Sequence, residues 1–460
     1  MPASSKPQAK KLTVIDFFCG AGGFSEGFRQ QGYEIVAGVD NWRPAVKTFN
    51  HNFSLDCEPV DMAEFASLER IQALPETDVI VGSPPCTDFS HSNRSGLADK
   101  TEGISLIELY LKIVAVKMWQ PRSRLKAWYM ENVPNSRKYV KKDYSFAALG
   151  LAEFALALRG LDVNSREEDA TDYGVAQARI RLLTGGMVVR AKEGPSFELP
   201  PFEKAQQDRA RTVKEVLGAL PRPLRASRRK EVADPNYPAL KVRLEDLADY
   251  SYDTGVFHCQ WERSCWSKRN HPYMGTMFVT ATKVNDSREA LLYLNENSDG
   301  GYDGRYRTPT IREIAVLMSY PLSYQFAGAE NSKWRLVGNS VAPLVSAALA
   351  KTTKERLGIA LTRPRWSKKA VLDDLNSSKR KDYSRPPAGR DTKRFRRHLY
   401  KYDGITVRLR DFWRGKRLQG AQVGGEGCKS RQGTDSRVQE RSSLRERDGS
   451  SHTWSEGQQR

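Results

Sequence analysis

Residues 81–90 read Val-Gly-Ser-Pro-Pro-Cys-Thr-Asp-Phe-Ser and set one thiol, Cys86, behind two prolines at the end of a short strand, Asp78-Val79-Ile80-Val81. Each proline fixes its own φ and pushes the residue before it toward extended backbone, so the chain entering Cys86 has few conformations open to it. A thiol held this way is aimed like a nucleophile. Taken alone, the same ten residues also fit a small buried cysteine in a proline-marked loop.

Other residues with chemistry in them sit at the ends of apolar runs. Asp16 to Ser25, Asp-Phe-Phe-Cys-Gly-Ala-Gly-Gly-Phe-Ser, closes a strand with a glycine-rich turn before a helix, where backbone amides can face a carboxylate or phosphate. About 20 residues further on, Asp40 ends a second strand and is placed to accept ribose hydroxyl hydrogen bonds, with Trp42 beside it as a flat surface for adenine. Asp61, after Pro59-Val60, adds a polar contact to the base from a third strand. Together these residues point to a nucleoside cofactor; the alternative is a turn aspartate and a surface tryptophan. Glu131 follows Ala127-Trp128-Tyr129-Met130 and emerges at a carboxyl strand end, where burial raises a carboxyl pKa and makes a proton donor. In Gln177-Ala178-Arg179-Ile180-Arg181 alternation puts the polar side chains on one face if the segment is extended. Two guanidiniums there suit a phosphate or base carbonyl and would lower the pKa of a neighbouring thiol, although a solvated strand face reads the same way. Gly338-Asn339-Ser340-Val341 reads as a helix entry with Asn or Ser as the cap.

The elements that must position these residues alternate between 12 and 190. Strands are expected at Leu12–Phe17, Glu34–Asp40, Val79–Val81, Ala127–Met130 and Arg181–Val188, and helices at Phe24–Gln31, Pro44–Asn50, Ile104–Met118 and Phe146–Arg159. That rhythm predicts an α/β fold, a Rossmann-like domain with a largely parallel sheet and crossover helices. From about Arg190 to Tyr306 it is lost among prolines, the basic run Arg222, Arg225, Arg228, Arg229 and Lys230, and aromatic loops. A Pro-started helix at Thr308–Met318 and another at Asn339–Arg356 return the chain to the first domain. The expected organisation is therefore a flexible N-terminus at 1–11, a catalytic domain over 12–189 that resumes at 307–361, a smaller irregular recognition domain at 190–306, and a basic, disordered tail at 362–460.

The chain of 460 residues carries a net charge of +19, and Leu361 to Arg460 holds +14 of it. Such a balance favours a polyanionic partner, and the tail is either an added source of salt-sensitive affinity or a solubilising extension. No run approaches the roughly 18–20 apolar residues of a membrane span, and Met1 to Lys11 has no apolar signal core, which excludes those routes and implies a cytoplasmic location. Six scattered cysteines without a Cys-x-x-Cys pair argue for reduced thiols. His258, Cys259, Cys265 and His271 fit no common zinc spacing, so no metal is expected.

Taken in order, Asp16 to Ser25, Pro84-Pro85-Cys86, Glu131-Asn132-Val133, Gln177-x-Arg179-x-Arg181 and Gly338-Asn339-Ser340-Val341 resemble the DNA (cytosine-5) methyltransferases over roughly residues 12–356. The resemblance implies an S-adenosylmethionine-dependent methyltransferase fold, a target-recognition region where the rhythm is lost, and a monomer acting on double-stranded DNA. It makes Cys86 the nucleophile at carbon 6 of a flipped cytosine, Glu131 the group at N3 and the exocyclic amine, and Arg179 and Arg181 the arginines that hold the base. It assigns Phe18, Gly20, Gly22 and Gly23, Asp40 and Trp42, Asp61, and Asn339 with Ser340 to the cofactor. Thr87-Asp88 departs from the Gln-Gly that members commonly carry after the cysteine, which puts the detail of the mobile loop at 88–101 in question. Two rivals share the scaffold: a tRNA cytosine-5 methyltransferase, whose Cys-Phe-Thr tripeptide is missing from this sequence, and an inactive DNA-binding relative, which would have lost part of the cysteine, glutamate and arginine set.

Overall fold

The computed structural model describes residues 11–86, 89, 100–192, 194–205, 211–220, 231–243, 292–293, 306–307, 310–361, 399–402 and 405–408. The chain divides into two units, 1–392 and 393–460.

The first unit is built on strands β1 (Thr13–Phe17), β2 (Glu34–Val39), β3 (Val79–Gly82) and β4 (Ala127–Asn132), which lie parallel in the order β2-β1-β3-β4. Val79-Ile80-Val81-Gly82 is buried on both faces, as a central parallel strand of β-branched residues must be. Along β4 the side chains alternate: Ala127 and Tyr129 join one core layer, Trp128 and Met130 the other. Helix α1 (Gly23–Gln30) packs with helix Pro343–Arg356 on the first layer, and α2 (Arg43–Phe53) and α3 (Leu68–Gln72) follow β2. Helix α4 (Thr101–Trp119) fills the second layer with Ile107, Tyr110, Leu111 and Val114.

The rest of the sheet departs from the parallel expectation. After the small pair β5 (Tyr144–Ser145) and β6 (Ala157–Leu158) come β7 (Ser165–Asp169), β8 (Ile180–Ala191) and β9 (Gly194–Glu198). β8 runs antiparallel to β4, and its far edge is shared by β7 and then β9. β8 begins between the two arginines and ends past residue 190, so with β9 the main sheet takes in residues up to 198. Val213, Val216, Leu217, Leu220, Val232, Leu240 and Val242 also enter the first core layer.

The helix expected at Phe146–Arg159 does not form. A 3-10 turn at Ala147–Leu149 ends at Gly150, whose φ of 72° stops any helix, and β6 follows. Phe146, Leu149, Leu151 and Leu158 are still buried, so the apolar spacing was real but served short turns. The expected helix at Thr308–Met318 is Ile311–Leu317, begun by Thr310 in a capping box with Glu313. Asn339 and Ser340 are not a helix entry. Asn339 is the C-cap of helix Glu330–Gly338, and the next helix starts at Pro343 with Ala342 as its N-cap. Proline at the first helical position needs no capping side chain there.

Short antiparallel pairs join Glu231–Ala233 to Lys241–Arg243 and Leu292–Tyr293 to Tyr306–Arg307. In the second unit, Leu399–Tyr402 pairs antiparallel with Ile405–Arg408. The basic run from Arg222, the group from His258 to His271 and most of the tail lie outside the described residues. Among the described residues no helix is long and apolar enough to cross a membrane, and no group of three or more His, Cys, Asp and Glu stands ready for a metal.

Candidate active site

Because β1, β3 and β4 are parallel, their carboxyl ends share one edge of the sheet, and β8 begins at that edge. The segment carrying Cys86 is tied there from both sides. Ser83 N–H donates to Phe17 O at 3.1 Å, and Asn132 Nδ2 donates to Pro84 O at 3.2 Å. Beyond the cysteine, Phe89 N–H returns to Cys86 O at 3.1 Å. Phe89 is fully buried, its ring 5.3 Å from that of Tyr139, and its carbonyl accepts from Asn135 Nδ2 at 3.0 Å. The half-buried thiol thus sits on backbone fixed before and after it. Of the loop expected at 88–101, only Phe89, Lys100 and Thr101 fall within the described residues.

Glu131 lies on the same face of β4 as Tyr129, with Leu183 opposite it on β8, and Arg181, two residues before Leu183, shares that face. The geometry follows from the register: Arg181 Nε stands 3.1 Å from Glu131 Oε1. Ser83 Oγ donates to Glu131 Oε2 at 3.2 Å. Arg179 precedes the strand. Its N–H donates to Asp169 Oδ1 at 3.1 Å and its Nη2 to Ser340 O at 2.8 Å, which ties the arginine pair to the chain's return. Among the described residues, Arg179 Nε and Gln177 Oε1 are buried without a hydrogen-bond partner.

The electrostatics correct one expectation. Burial, followed by the Glu131 carboxylate, pushes the Cys86 thiol above the ordinary thiol range, while Arg181 and Arg179 pull the other way without prevailing. At neutral pH Cys86 is therefore a protonated thiol. Burial and the neighbouring Arg181 push the Arg179 guanidinium down to about 9, which leaves it cationic at pH 7.

The glycine turn forms the second half of the site. Phe18 adopts a φ of 53°, a region that a bulky side chain rarely enters, and Gly20 a φ of 52°. Gly20 N–H donates to Asp40 Oδ2 at 2.9 Å and Trp42 N–H to Asp40 Oδ1 at 2.8 Å. Burial raises the Asp40 carboxyl, and the amides of Trp42, Gly20 and Asn41 oppose the rise. Among the described residues, a Cβ added at Gly20 would meet nothing nearer than 4.0 Å. Gly22 and Gly23 are glycines for packing: a Cβ at Gly22 would lie 2.6 Å from the Phe53 ring and 2.8 Å from Tyr324 Oη, and at Gly23 2.1 Å from Val341 O. Trp42 is half-buried, with the Arg335 guanidinium over its ring 5.0 Å from the centroid. Asp61 does not end a strand. It is exposed next to the end of β2, where Val60 N–H donates to Asp40 O, and its Oδ1 caps a 3-10 turn by accepting from Ala63 N–H at 2.9 Å. Asn339 is exposed, whereas the Ser340 hydroxyl is taken up by Tyr320 Oη at 2.5 Å and Leu336 O at 2.9 Å.

The structure thus brings Cys86, Glu131, Arg179 and Arg181 to one sheet edge, and Phe18, Gly20, Asp40 and Trp42 around an adjacent turn. Sequence reasoning passed over Ser83 and Tyr320, whose contacts join positions far apart in the chain, and gave Gln177 no role although it shares the alternation of the two arginines.

An open α/β sheet with a thiol, a carboxyl and two guanidiniums at its carboxyl edge, beside a glycine turn closed by an aspartate, is an arrangement of the kind α/β enzymes use to bind and transform ligands. The sequence model of the family described as C-5 cytosine-specific DNA methylase matches residues 12–355. The chain is 27% identical over 364 residues to type II methyltransferase M.HgiDI of Herpetosiphon aurantiacus, covering 78% of this chain and 99% of that protein. It is 29% identical over 355 residues to type II methyltransferase M.HindV of Haemophilus influenzae, covering 75% and 98%. A shorter relative, M.HgiGI of Herpetosiphon aurantiacus, is 39% identical over 128 residues, or 27% of this chain and 94% of that one. The chain belongs to the C-5 cytosine-specific DNA methylase family and is a DNA cytosine-5 methyltransferase.

Proposed function

We propose that the protein methylates carbon 5 of a cytosine in a specific sequence of double-stranded DNA, acting as a cytoplasmic monomer, through a transient bond between Cys86 and carbon 6. The observation that carries this reading is the juxtaposition at one sheet edge of the Cys86 thiol, the buried Glu131 and its Arg181 partner.

Carbon 5 of cytosine is a poor nucleophile, and a covalent adduct divides one hard step into easier ones. Cys86 Sγ gives its proton to solvent and adds to carbon 6 as the carbon 5–carbon 6 π bond opens; Glu131 engages N3 and the exocyclic amine, so that the ring's electron density shifts toward carbon 5. After carbon 5 has gained its methyl group, loss of the carbon 5 proton to solvent and cleavage of the S–C6 bond restore the ring and free the cysteine. Arg179 and Arg181 hold the base and favour the thiolate over the thiol. The target must leave the duplex stack to reach this edge, at a cost of a few kcal/mol that pocket and phosphate contacts offset.

The residues of the glycine turn fit S-adenosylmethionine. Gly20 would let the ligand approach the backbone, Asp40 would accept from the ribose hydroxyls, and Trp42 and Asp61 would hold the adenine. Phe18, Gly22 and Gly23 shape the turn, and Asn339 and Ser340 would hold the methionine end. When bound, S-adenosylmethionine supplies an electrophilic methyl group on a sulfonium. Target choice is assigned to the region 190–306, and a place in a type II modification system is assigned from the similarity to type II methyltransferases.

The test is methylation by the purified full chain of duplex DNA and of tRNA, with bisulfite sequencing of DNA from cells that express it. Transfer to cytosine carbon 5 in duplex DNA at a recurring sequence is expected. Transfer to tRNA alone, or none to either substrate, would overturn the reading.

A further inference from the structure

Both carboxylate oxygens of Glu131 are engaged, and by donors from opposite neighbours of β4. Arg181 Nε reaches Oε1 from β8 at 3.1 Å, and Ser83 Oγ reaches Oε2 at 3.2 Å from the residue that follows β3. The backbone of Ser83 is fixed independently, since its N–H donates to Phe17 O. Its hydroxyl is the part that meets the acid. Pro84-Pro85 then forms a stiff link from Ser83 to Cys86, and Asn132, next to Glu131 in the chain, holds Pro84 O.

We propose that Ser83 is a positioning residue that fixes the plane of the Glu131 carboxyl and locks its placement to that of Cys86; the proposal rests on the cytosine-5 transfer reading. Two arguments support it. The terminal torsion of a glutamate is broad and roughly two-fold, so an acid anchored on one oxygen alone keeps a freedom that a second donor removes. Arg181 only donates and suits the carboxylate, whereas a serine hydroxyl donates to a carboxylate and accepts from a carboxylic acid. Ser83 therefore holds Glu131 through either protonation state, as a group that exchanges a proton with a base requires.

The test compares wild type, Ser83→Ala and Ser83→Thr as full chains, by steady-state transfer from S-adenosylmethionine to duplex DNA together with thermal melting. In Ser83→Ala, kcat is expected to fall about tenfold, the loss of one hydrogen bond to a charged group. KM for S-adenosylmethionine is expected to stay within about twofold, and Ser83→Thr to recover most of the rate. An unchanged kcat in Ser83→Ala overturns the proposal, as does a loss that Thr does not repair or that tracks a fall in melting temperature. A wild-type chain without transfer to DNA would instead overturn the functional reading beneath it.

Discussion

The two halves of the site are built from different materials. Around the glycine turn the geometry is made by backbone: a left-handed Phe18 and Gly20, amides of residues 20 and 42 converging on Asp40, and glycines at 22 and 23 that let Phe53, Tyr324 and Val341 close in behind. At the cysteine the geometry is made by side-chain charge: a thiol raised by burial and Glu131, an acid held by Arg181 and Ser83, and a second arginine anchored on Ser340 O. A cradle of amides suits a ligand bound in the same form at every turnover. A balance of opposed charges suits a group that must change its protonation state during the reaction. Substitutions on the cysteine side should therefore strike the rate of transfer, and those on the turn should strike cofactor affinity or stability.

The largest effect is expected from Cys86→Ala, a loss of transfer of at least about a thousandfold, because the covalent route closes entirely. Binding of duplex DNA, measured by fluorescence anisotropy, should remain; loss of binding in step with activity would break the division between the halves. Arg181→Ala comes next, with transfer down about a hundredfold. It strips the buried Glu131 of its cation and removes one of the two charges that oppose the rise of the thiol pKa. Alkylation of Cys86 by iodoacetamide at pH 8, followed by peptide mass spectrometry, should slow in this variant, and faster alkylation would reverse the assigned electrostatics. On the other half, Asp40→Asn should raise KM for S-adenosylmethionine about tenfold with kcat little changed, a split read from initial rates.

The smallest effect concerns stability and sharpens the contrast at Asp16, which lies beneath the turn. Its carboxyl is almost fully buried, accepts from Ser25 Oγ at 2.7 Å, and is raised to about 7, chiefly by burial. Between about pH 4 and pH 7 the folded chain keeps a proton there that the unfolded chain has released. Stability from this group is thus present below about pH 4 and is lost as pH rises toward 7. Asp16→Asn should flatten that part of the melting-temperature profile and leave the protein more stable than wild type at pH 8, by about 1 kcal/mol or more. Asp234, raised to about 6 by burial, titrates in the same window and leaves a residual slope.

Legibility in the sequence followed the same division. Cys86, Glu131, Gly20 and Asp40 were readable because each ends an apolar strand, and parallel strands bring such ends to one edge. The parallel half of the sheet followed from the same runs. The antiparallel half did not, since the direction of β8 is set by pairing with β4 across the residues from 133 to 179, whose short strands and turns carry no sustained periodic signal. Phe146–Arg159 looked helical from its apolar spacing, and Gly150 in the left-handed region overrode it. Asn339-Ser340 looked like a cap, but a helix ending at Gly338 changes what those side chains are for. The direction of the thiol shift was hidden as well. Two nearby arginines are visible in a sequence, whereas the burial that outweighs them is a property of the folded sheet edge.

The central claim, a bond between Cys86 and carbon 6 of the target base, is tested most directly with duplex DNA carrying 5-fluorocytosine at the methylated position. Fluorine at carbon 5 cannot depart as a proton does, so the cysteine cannot be released after methyl transfer. In the presence of S-adenosylmethionine, wild type should form a protein–DNA complex that survives denaturing electrophoresis, with the cross-linked peptide containing Cys86, and Cys86→Ala should form none. A complex of equal yield in Cys86→Ala, or full methyl transfer by that variant to ordinary DNA, would contradict the account.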